Sequence, residues 1–511
     1  MILNEQGLQN KAEWEAKGYR LPGFDRAAMV EATKANPIWV HFGAGNIFKA
    51  FQADACQRLL DEGIISTGII AAERREKKPE ANDNLAVKVT LRSDGKVEKA
   101  VVGSIAEKVY LYGSEERLKE IFENPSLQMV SFTITEKGYS LVDGKGDYLP
   151  DVAADLAGKP EDAKSYMGRL TALLCARYLK NRQPIAMVSM DNCSHNGDKL
   201  KAAVTTFAKV WGGKGFNSWL EESVSVPWSM IDKITPGPDA SVAAMLEEDG
   251  LPAGTPFVNA EESEYLVIED NFPNGRPPLE KAGIYFTDRA TVDKVERMKV
   301  CTCLNPLHTA LAVYGCLLGY RHIWQEMQDE DLNKLVNIIG YKEGLPVVTD
   351  PGIIQPKDFI DTVVKIRIPN PFMPDTPQRI ATDTSQKLSI RFGETIKSYL
   401  ASNELKVDNL RLIPLVFAGW LRYLMAVDDE GNAFEPSPDP LLADVQPYVA
   451  GCRLGEKPDT DALRPLLSNA SVFGVDLYEA GLADKVCAYF EELTAGPGAV
   501  RATLHKYTAA E

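Results

Sequence analysis

Long hydrophobic runs, blocks of like charge and a disulfide framework are all missing from this 511-residue sequence. No run approaches the length needed to span a bilayer, so a membrane protein is not expected. The N-terminus, MILNEQGLQNKAEWEAKGYR, lacks the basic flank and apolar core of a signal peptide, and export is not expected either. Neither lysine nor arginine forms a long block. With a formal net charge of −16 and a pI of about 5.0, broad electrostatic binding to nucleic acid or anionic membrane is disfavoured, local basic pockets aside. The eight cysteines are scattered, several in apolar helical contexts such as LLCARYL and VYGCLLGY, and read as reduced core thiols of a cytoplasmic protein. Solenoid repeats and low-complexity tracts are absent too. What remains is an ordinary globular composition, 45% hydrophobic and 25% charged, long enough for two or more domains with substantial cores.

Residues 1–36 read as a helical lead-in. The apolar strand 37–42 then runs into Gly43-Ala44-Gly45-Asn46-Ile47-Phe48, followed by a helix over 49–63 and a second strand over 66–73. The physics of this unit suits a dinucleotide. Gly43 allows a tight turn, Gly45 lets backbone approach a pyrophosphate, and the helix N-terminus supplies unpaired N–H groups and a positive dipole end. Phe48 stands where a third glycine is expected, and a plain strand-to-helix turn is the alternative. Glu73 closes the second strand, where a carboxylate would bond the ribose hydroxyls of NAD and repel a 2′-phosphate. Arg74 and Arg75 follow and would instead favour NADP, or simply begin a solvated charged turn over 73–80. NAD is favoured, with NADP as the alternative.

Residues 85–93 and 99–112 read as strands, 116–124 as a helix, and 127–135 as a buried strand ending at Thr135-Glu136-Lys137. Ligands gather at the carboxyl ends of strands in open α/β sheets, which makes those three residues candidates, against the alternative of a surface turn. A helix over 163–182 precedes the buried strand 185–190, which delivers Asp191-Asn192-Cys193-Ser194-His195-Asn196-Gly197. Asn192 could donate its amide to a substrate oxygen. Asp232 and Lys233 interrupt an apolar segment at 226–236. After about residue 285 helical periodicity dominates, broken by a proline-rich connection from Pro351 to Pro377. The expected domains are therefore 1–290, α/β with the helical lead-in, and 291–511, mainly helical.

The stretch Arg297 to Tyr320 places an amine (Lys299), an amide (Asn305) and an imidazole (His308) before a buried apolar helix. These groups can donate or exchange protons around an oxygen. Alternatively Asn305 and Pro306 merely cap the helix, as N-cap and first helical residue.

Taken together, the segments resemble the polyol-specific long-chain dehydrogenases, the family of mannitol 2-dehydrogenase, fructuronate reductase and tagaturonate reductase. The resemblance rests on HFGAGN (41–46), TITEKGY (133–139), SMDNCSHNG (189–197), MIDKITP (230–236), VIEDNFPNGRPPLE (267–280), MKVCTCLNPLH (298–308) and RIATDTSQKL (379–388), in order along most of the chain. It implies an N-terminal Rossmann-like domain, a mainly helical C-terminal domain, and a metal-independent site in the cleft between them. Carried onto matching positions, Lys299 would be the general acid/base, with Asn192 and Asn305 polarising the carbonyl. His308 would orient a neighbouring hydroxyl. Asp232, Arg379 and Lys387 would contact the rest of the substrate, and Glu136 would sit near the nicotinamide and the proton path. The cofactor would lie against Gly43, Ala44, Gly45, Asn46, Ile47, Glu73, Arg74, Thr135 and Lys137. In oxidation the lysine must accept a proton as a neutral amine.

The leading expectation is an NAD-dependent reductase interconverting a ketohexuronate such as fructuronate and an aldonate such as mannonate, with Arg379 and Lys387 offering charge to a carboxylate. A mannitol-type polyol 2-dehydrogenase or a tagaturonate reductase is the runner-up. Two further classes are a zinc enzyme using Cys301, Cys303 and His308, and a non-catalytic nucleotide or sugar-acid binder. The chain also departs from the family pattern: Lys299 precedes Asn305 by six positions where five are usual. On a regular helix one extra residue turns Lys299 by about 100° relative to Asn305 and His308. A π-bulge within 300–304, or a break at Asn305 with Pro306 opening a new helix, would absorb it, and the bulge is the expected solution.

Overall fold

The computed structural model describes residues 1–76 and 82–509, so the charged turn expected over 73–80 lies partly outside the described residues. The chain forms two compact units, Met1–Asp293 and Lys294–Glu511.

The first unit is built on a six-stranded, wholly parallel sheet: β1 (Trp39–Phe42), β2 (Ile69–Arg75), β3 (Ile105–Tyr112), β4 (Met129–Phe132), β5 (Ile185–Ser189) and β6 (Val224–Ser225). Their order across the sheet is β3-β2-β1-β4-β5-β6, the doubly wound arrangement in which the winding reverses beside β1. Every residue of β1, β4 and β5 is buried, because helices cover both faces. This is why these strands read as continuous apolar runs rather than alternating ones. Val40, Phe42, Val130, Phe132 and Met187 pack on one face with helices Glu115–Glu123, Tyr166–Lys180 and Asn196–Trp211. Trp39, Ala71, Met129, Ala186 and Val188 pack on the other with Ala53–Asp61.

The single strand expected over 99–112 is two strands in two sheets. The chain breaks at Gly103-Ser104, where Gly103 lies so close to Pro22 that a Cβ would be 2.9 Å from its ring, and its carbonyl accepts the buried Arg26 side chain at 2.9 Å. Val97–Val102 pairs with Ala86–Leu91 as an antiparallel hairpin in a separate four-stranded sheet. Ser229–Asp232, Tyr265–Glu269 and Tyr285–Thr287 form a third, three-stranded sheet.

The second unit is helical. Its core helix Leu412–Leu424 is buried along its whole length, with Tyr314 donating to the Leu415 carbonyl at 2.8 Å. The proline-rich stretch 351–377, expected as a connection, contains the helix Pro356–Thr362, which Pro356 opens at a position where no N–H is needed. The helical segment Arg289–Leu317, interrupted at Leu304, is apolar and long enough to cross a membrane by composition, yet its apolar window is mostly buried inside the protein, as a core helix is.

Candidate active site

At the carboxyl end of β1 the backbone turns on Gly43, whose φ of +92° is open to glycine and strained for other residues. A Cβ there would lie 2.1 Å from the Thr133 carbonyl oxygen, so the turn after β1 is fitted tightly against the end of β4. Gly45 is different. A Cβ on it would meet nothing nearer than the Gly43 oxygen at 3.9 Å, leaving open space beside the backbone. Phe48, in place of a third glycine, is fully buried and stacks on His41 with ring centroids 4.2 Å apart. It opens a π turn, Phe48–Gln52, that leads into Ala53–Asp61.

His41 is the centre of a buried polar chain that fixes this turn. Trp39 Nε1 donates to Ser131 Oγ at 2.7 Å, Ser131 Oγ meets His41 Nδ1 at 2.7 Å, and His41 Nε2 meets Thr133 Oγ1 at 2.8 Å. Thr133 Oγ1 donates its one proton to the Gly43 carbonyl at 2.8 Å. It must therefore accept from His41 Nε2–H, and His41 Nδ1 accepts from Ser131. Burial lowers the imidazole pKa to about 3, so the ring is neutral, as this arrangement requires.

A dinucleotide fits this end of the sheet. Open space beside Gly45, the N–H groups that begin any helix, and the half-buried carboxylate of Glu73 at the end of β2 are the donor and acceptor set it needs. Ala44 is buried, Asn46 exposed and Ile47 half-buried. Arg74 and Arg75 are exposed, and their guanidinium carbons lie 5.8 and 5.3 Å from the centre of the Tyr112 ring.

The turn after β4 carries a second constraint, which the sequence motifs did not single out. Thr135 has φ +65° and ψ 159°, a conformation that a β-branched residue adopts only under strain. Asp191, buried at the end of β5, accepts from the backbone N–H of Ile134 at 3.0 Å and of Thr135 at 2.8 Å, and from the Tyr139 hydroxyl. Burial pushes the Asp191 carboxyl up from its ordinary range, and those three donors oppose the shift. Glu136, next in the turn, is exposed and pairs with Lys199 at 2.8 Å; Lys137 is exposed.

Asn192 follows Asp191 on an exposed loop whose far end is tied down by Asn196. The Asn196 amide donates to the Ser189 and Asp191 carbonyls, each at 3.1 Å, and exchanges hydrogen bonds with Ser229, so the Asn192 loop is joined to the strand that ends in buried Asp232. The neighbouring Lys233 is buried too. It donates to the Glu261 carbonyl at 2.7 Å and pairs with Glu264 at 3.0 Å, anchoring the strand end.

In the second unit, Lys299 is buried at 4% exposure and begins a π turn, Lys299–Cys303. The Leu304 N–H reaches back five residues to the Lys299 carbonyl at 3.1 Å. Leu304 then leaves helical geometry (φ −132°, ψ −63°), and a new helix runs Asn305–Leu317. Both structural solutions to the additional residue are thus present: the wide turn consumes it, and a break follows. Asn305 is the first helical residue rather than the N-cap, a position Leu304 takes, and Pro306 comes second. Asn305 and His308 are half-buried, and Thr309 Oγ1 donates to the Asn305 carbonyl at 3.0 Å. Arg379 is exposed and paired with Asp375, while Lys387 donates to the Thr382 carbonyl. Burial, then the charge of Arg391, lowers the Lys387 pKa. Cys301 and Cys303 are buried, and among the described residues no three His, Cys, Asp or Glu side chains converge in a metal-holding group.

A doubly wound sheet with a glycine turn at its switch point, joined in sequence to a helical unit that buries one lysine in a wide turn, is the layout of a long-chain Rossmann-type dehydrogenase. Residues 37–281 match the mannitol dehydrogenase Rossmann domain and residues 291–494 the mannitol dehydrogenase C-terminal domain, and the chain belongs to that family. It is similar to the D-mannonate oxidoreductase of Thermotoga maritima, 48% identical over 538 aligned positions that cover 100% of both chains. The polyol:NADP oxidoreductase of Gluconobacter oxydans is 31% identical, covering 84% of this chain and 88% of that one. Among solved structures, the Pseudomonas fluorescens mannitol 2-dehydrogenase complex with NAD and D-mannitol is 27% identical with a TM-score of 0.73, covering 100% of both chains. A substrate-free D-sorbitol dehydrogenase is 25% identical with a TM-score of 0.81, covering 99% of this chain and 100% of that one.

Proposed function

We propose that this protein is an NAD-dependent, metal-independent oxidoreductase that interconverts a ketohexuronate and an aldonate, fructuronate and D-mannonate being the pair. The observation that carries the reading is the end-to-end 48% identity to a D-mannonate oxidoreductase. Bound NAD supplies the hydride acceptor for oxidation, and its reduced form the donor for reduction.

The chain's own residues do the rest. Lys299 holds its amine still through burial, and gives a proton to the substrate oxygen in reduction or takes one in oxidation. Asn192 and Asn305 donate amide N–H groups to that oxygen without bringing a competing charge. His308 orients a neighbouring hydroxyl, Asp232, Arg379 and Lys387 hold the remainder of the substrate, and Glu136 lies along the proton path. Gly43, Ala44, Gly45, Asn46 and Ile47 form the cradle for the dinucleotide, with Thr135 and Lys137 at its rim. Glu73 selects the ribose hydroxyls of NAD. Occupation of Arg74 and Arg75 by Tyr112 weakens the case for a 2′-phosphate ligand there.

Nicotinamide absorbance with D-mannonate, fructuronate, tagaturonate, D-mannitol and fructose, each with NAD(H) and NADP(H), tests the reading. Preferred turnover of the mannonate and fructuronate pair with NAD(H) is expected. Preference for mannitol would instead support the polyol 2-dehydrogenase reading, which the similarity to the mannitol-bound relative favours. Preference for tagaturonate would identify the sister reductase.

A further inference from the structure

Two fully buried arginines of this protein have their donors answered by backbone carbonyls. Arg177, fully buried, places its five N–H groups on the carbonyls of Gln183, Phe122, Asn124, Leu127 and Pro184 at 2.7 to 3.1 Å. Arg422, equally buried, donates to the carbonyls of Leu493, Val427 and Asp428. Arg391 does not follow this pattern. It is half-buried, its pKa lowered to about 10 by desolvation, and it makes one hydrogen bond, to Thr309 Oγ1 at 2.5 Å, and no ion pair among the described residues. Four of the five guanidinium donors have no protein acceptor there. None of those four donors is enclosed, so a partly desolvated cation is left open to an anion that would complete it.

The position of Arg391 indicates which anion. It lies in the π turn Ser389–Gly393, which packs against both the turn Lys299–Cys303 and the helix Asn305–Leu317. Its hydrogen-bond partner Thr309 follows His308 directly and bonds back to the Asn305 carbonyl, so the guanidinium is one side chain removed from the proposed proton-transfer residues. Lys387, one helical turn earlier, adds a second positive charge close enough for Arg391 to help lower the Lys387 pKa. Asp383 and Asp439 face Lys387, and Asp375 already neutralises Arg379. The positive charge left without a counter-ion is therefore at Arg391.

We propose that Arg391 is the carboxylate anchor of the substrate site, its fork taking the acid group of the aldonate or ketohexuronate while Thr309 holds it in place. Planar bidentate recognition of a carboxylate is what a guanidinium supplies and an ammonium does not. This inference rests on the sugar-acid reading given above and deepens it, because it assigns to one residue the choice between an acid and a neutral polyol.

The test compares D-mannonate, its neutral isostere D-mannonamide, and D-mannitol, with the wild-type enzyme and with Arg391→Gln and Arg391→Lys. For the wild type, KM for the amide should exceed that for the acid by about 10- to 100-fold, the range expected for charge-assisted hydrogen bonds. Arg391→Gln should raise KM for D-mannonate by the same about 10- to 100-fold and remove the discrimination against the amide, and Arg391→Lys should fall between. KM for NAD should not move; if it rises while KM for D-mannonate does not, the anion is a cofactor phosphate and the proposal fails. Equal losses on acid, amide and mannitol would reduce Arg391 to a structural residue and overturn it as well. The wild-type acid-to-amide comparison requires no variant, so a variant that fails to fold leaves the proposal open to refutation. If the wild type oxidises none of the three, the activity reading fails separately, and calorimetric binding of D-mannonate decides the inference: lost in Arg391→Gln, it stands; unchanged or absent in the wild type, it falls.

Discussion

Replacing Asp191 by asparagine should separate stability from ligand binding in a way that depends on residue 135. The asparagine oxygen can accept from Ile134 N–H or Thr135 N–H, but its amide must face the other donor. The substitution therefore forfeits about one to two charge-assisted bonds, on the order of 2–3 kcal/mol. Against this, Thr135 sits in backbone geometry that costs about 1–3 kcal/mol for a non-glycine residue, and the freed turn recovers that by relaxing. The net loss in stability should thus be only about 1 kcal/mol, while the turn that we place beside the dinucleotide loses its shape. Glycine at 135 reverses the pattern. With no strain to release, Asp191→Asn in a Thr135→Gly background should cost the full amount of about 2–3 kcal/mol, yet the turn keeps its conformation and NADH affinity falls less. Urea midpoints and NADH fluorescence titrations of the four proteins in the cycle provide both readouts. An identical stability cost and an identical affinity loss in the two backgrounds would refute the idea that Asp191 holds Thr135 in its strained state.

Three other outcomes follow from the geometry. Lys299→Met should lower kcat by about 10²- to 10⁴-fold with either nicotinamide direction while circular dichroism and NADH binding stay unchanged, and full turnover would remove the lysine from the mechanism. Gly43→Ala combines a φ of +92° with a contact to the Thr133 backbone and should destabilise by about 3 kcal/mol or more, whereas Gly45→Ala, facing open space, should melt within a few degrees of wild type and lose NADH affinity; the opposite ranking in thermal unfolding would place the ligand elsewhere. Glu326, fully buried with neither carboxyl oxygen bonded, has its pKa raised well above the ordinary range by burial, then by Asp329. It is protonated in the folded protein and ionised in the unfolded chain above the ordinary glutamate pKa. Its contribution is therefore complete at low pH and declines as pH rises towards the folded-state value, and Glu326→Gln should flatten that decline and raise the melting temperature at pH 8 but not at pH 5, as read by calorimetry across pH.

The strands of the main sheet were readable because parallel strands covered on both faces must be apolar throughout, and the glycine turn because Gly43 and Gly45 follow one of them directly. The six-residue interval from Lys299 to Asn305 was equally informative. It is incompatible with a regular helix that keeps both side chains on one face, and a wide turn is the structure that forms. Other features depend on partners far away in sequence. Gly103 and Ser104 divide an otherwise strand-like run because Arg26 and Pro22 come to rest there. Asp191 looks like the first residue of a polar turn until the backbone of 134–135 is placed against it. Arg379, Lys387 and Arg391 are three basic residues within one short stretch, and nothing local shows that Asp375 neutralises the first and leaves the last without an acid.

The chain of hydrogen bonds through His41 has one possible direction. It begins on an indole that can only donate and ends on a carbonyl that can only accept, so every hydroxyl and imidazole proton between them is assigned. Reversing any member would leave two donors or two acceptors facing each other in a buried site. The glycine turn therefore has no alternative hydrogen-bonding states to give up when a ligand arrives. Side chains immobilised on binding cost about 0.5–1.5 kcal/mol each, and here that entropy is surrendered during folding instead. A dinucleotide resting on Gly43 to Ile47 would show calorimetrically as association with little ordering of the protein, its affinity undiminished by the rearrangement of the cradle.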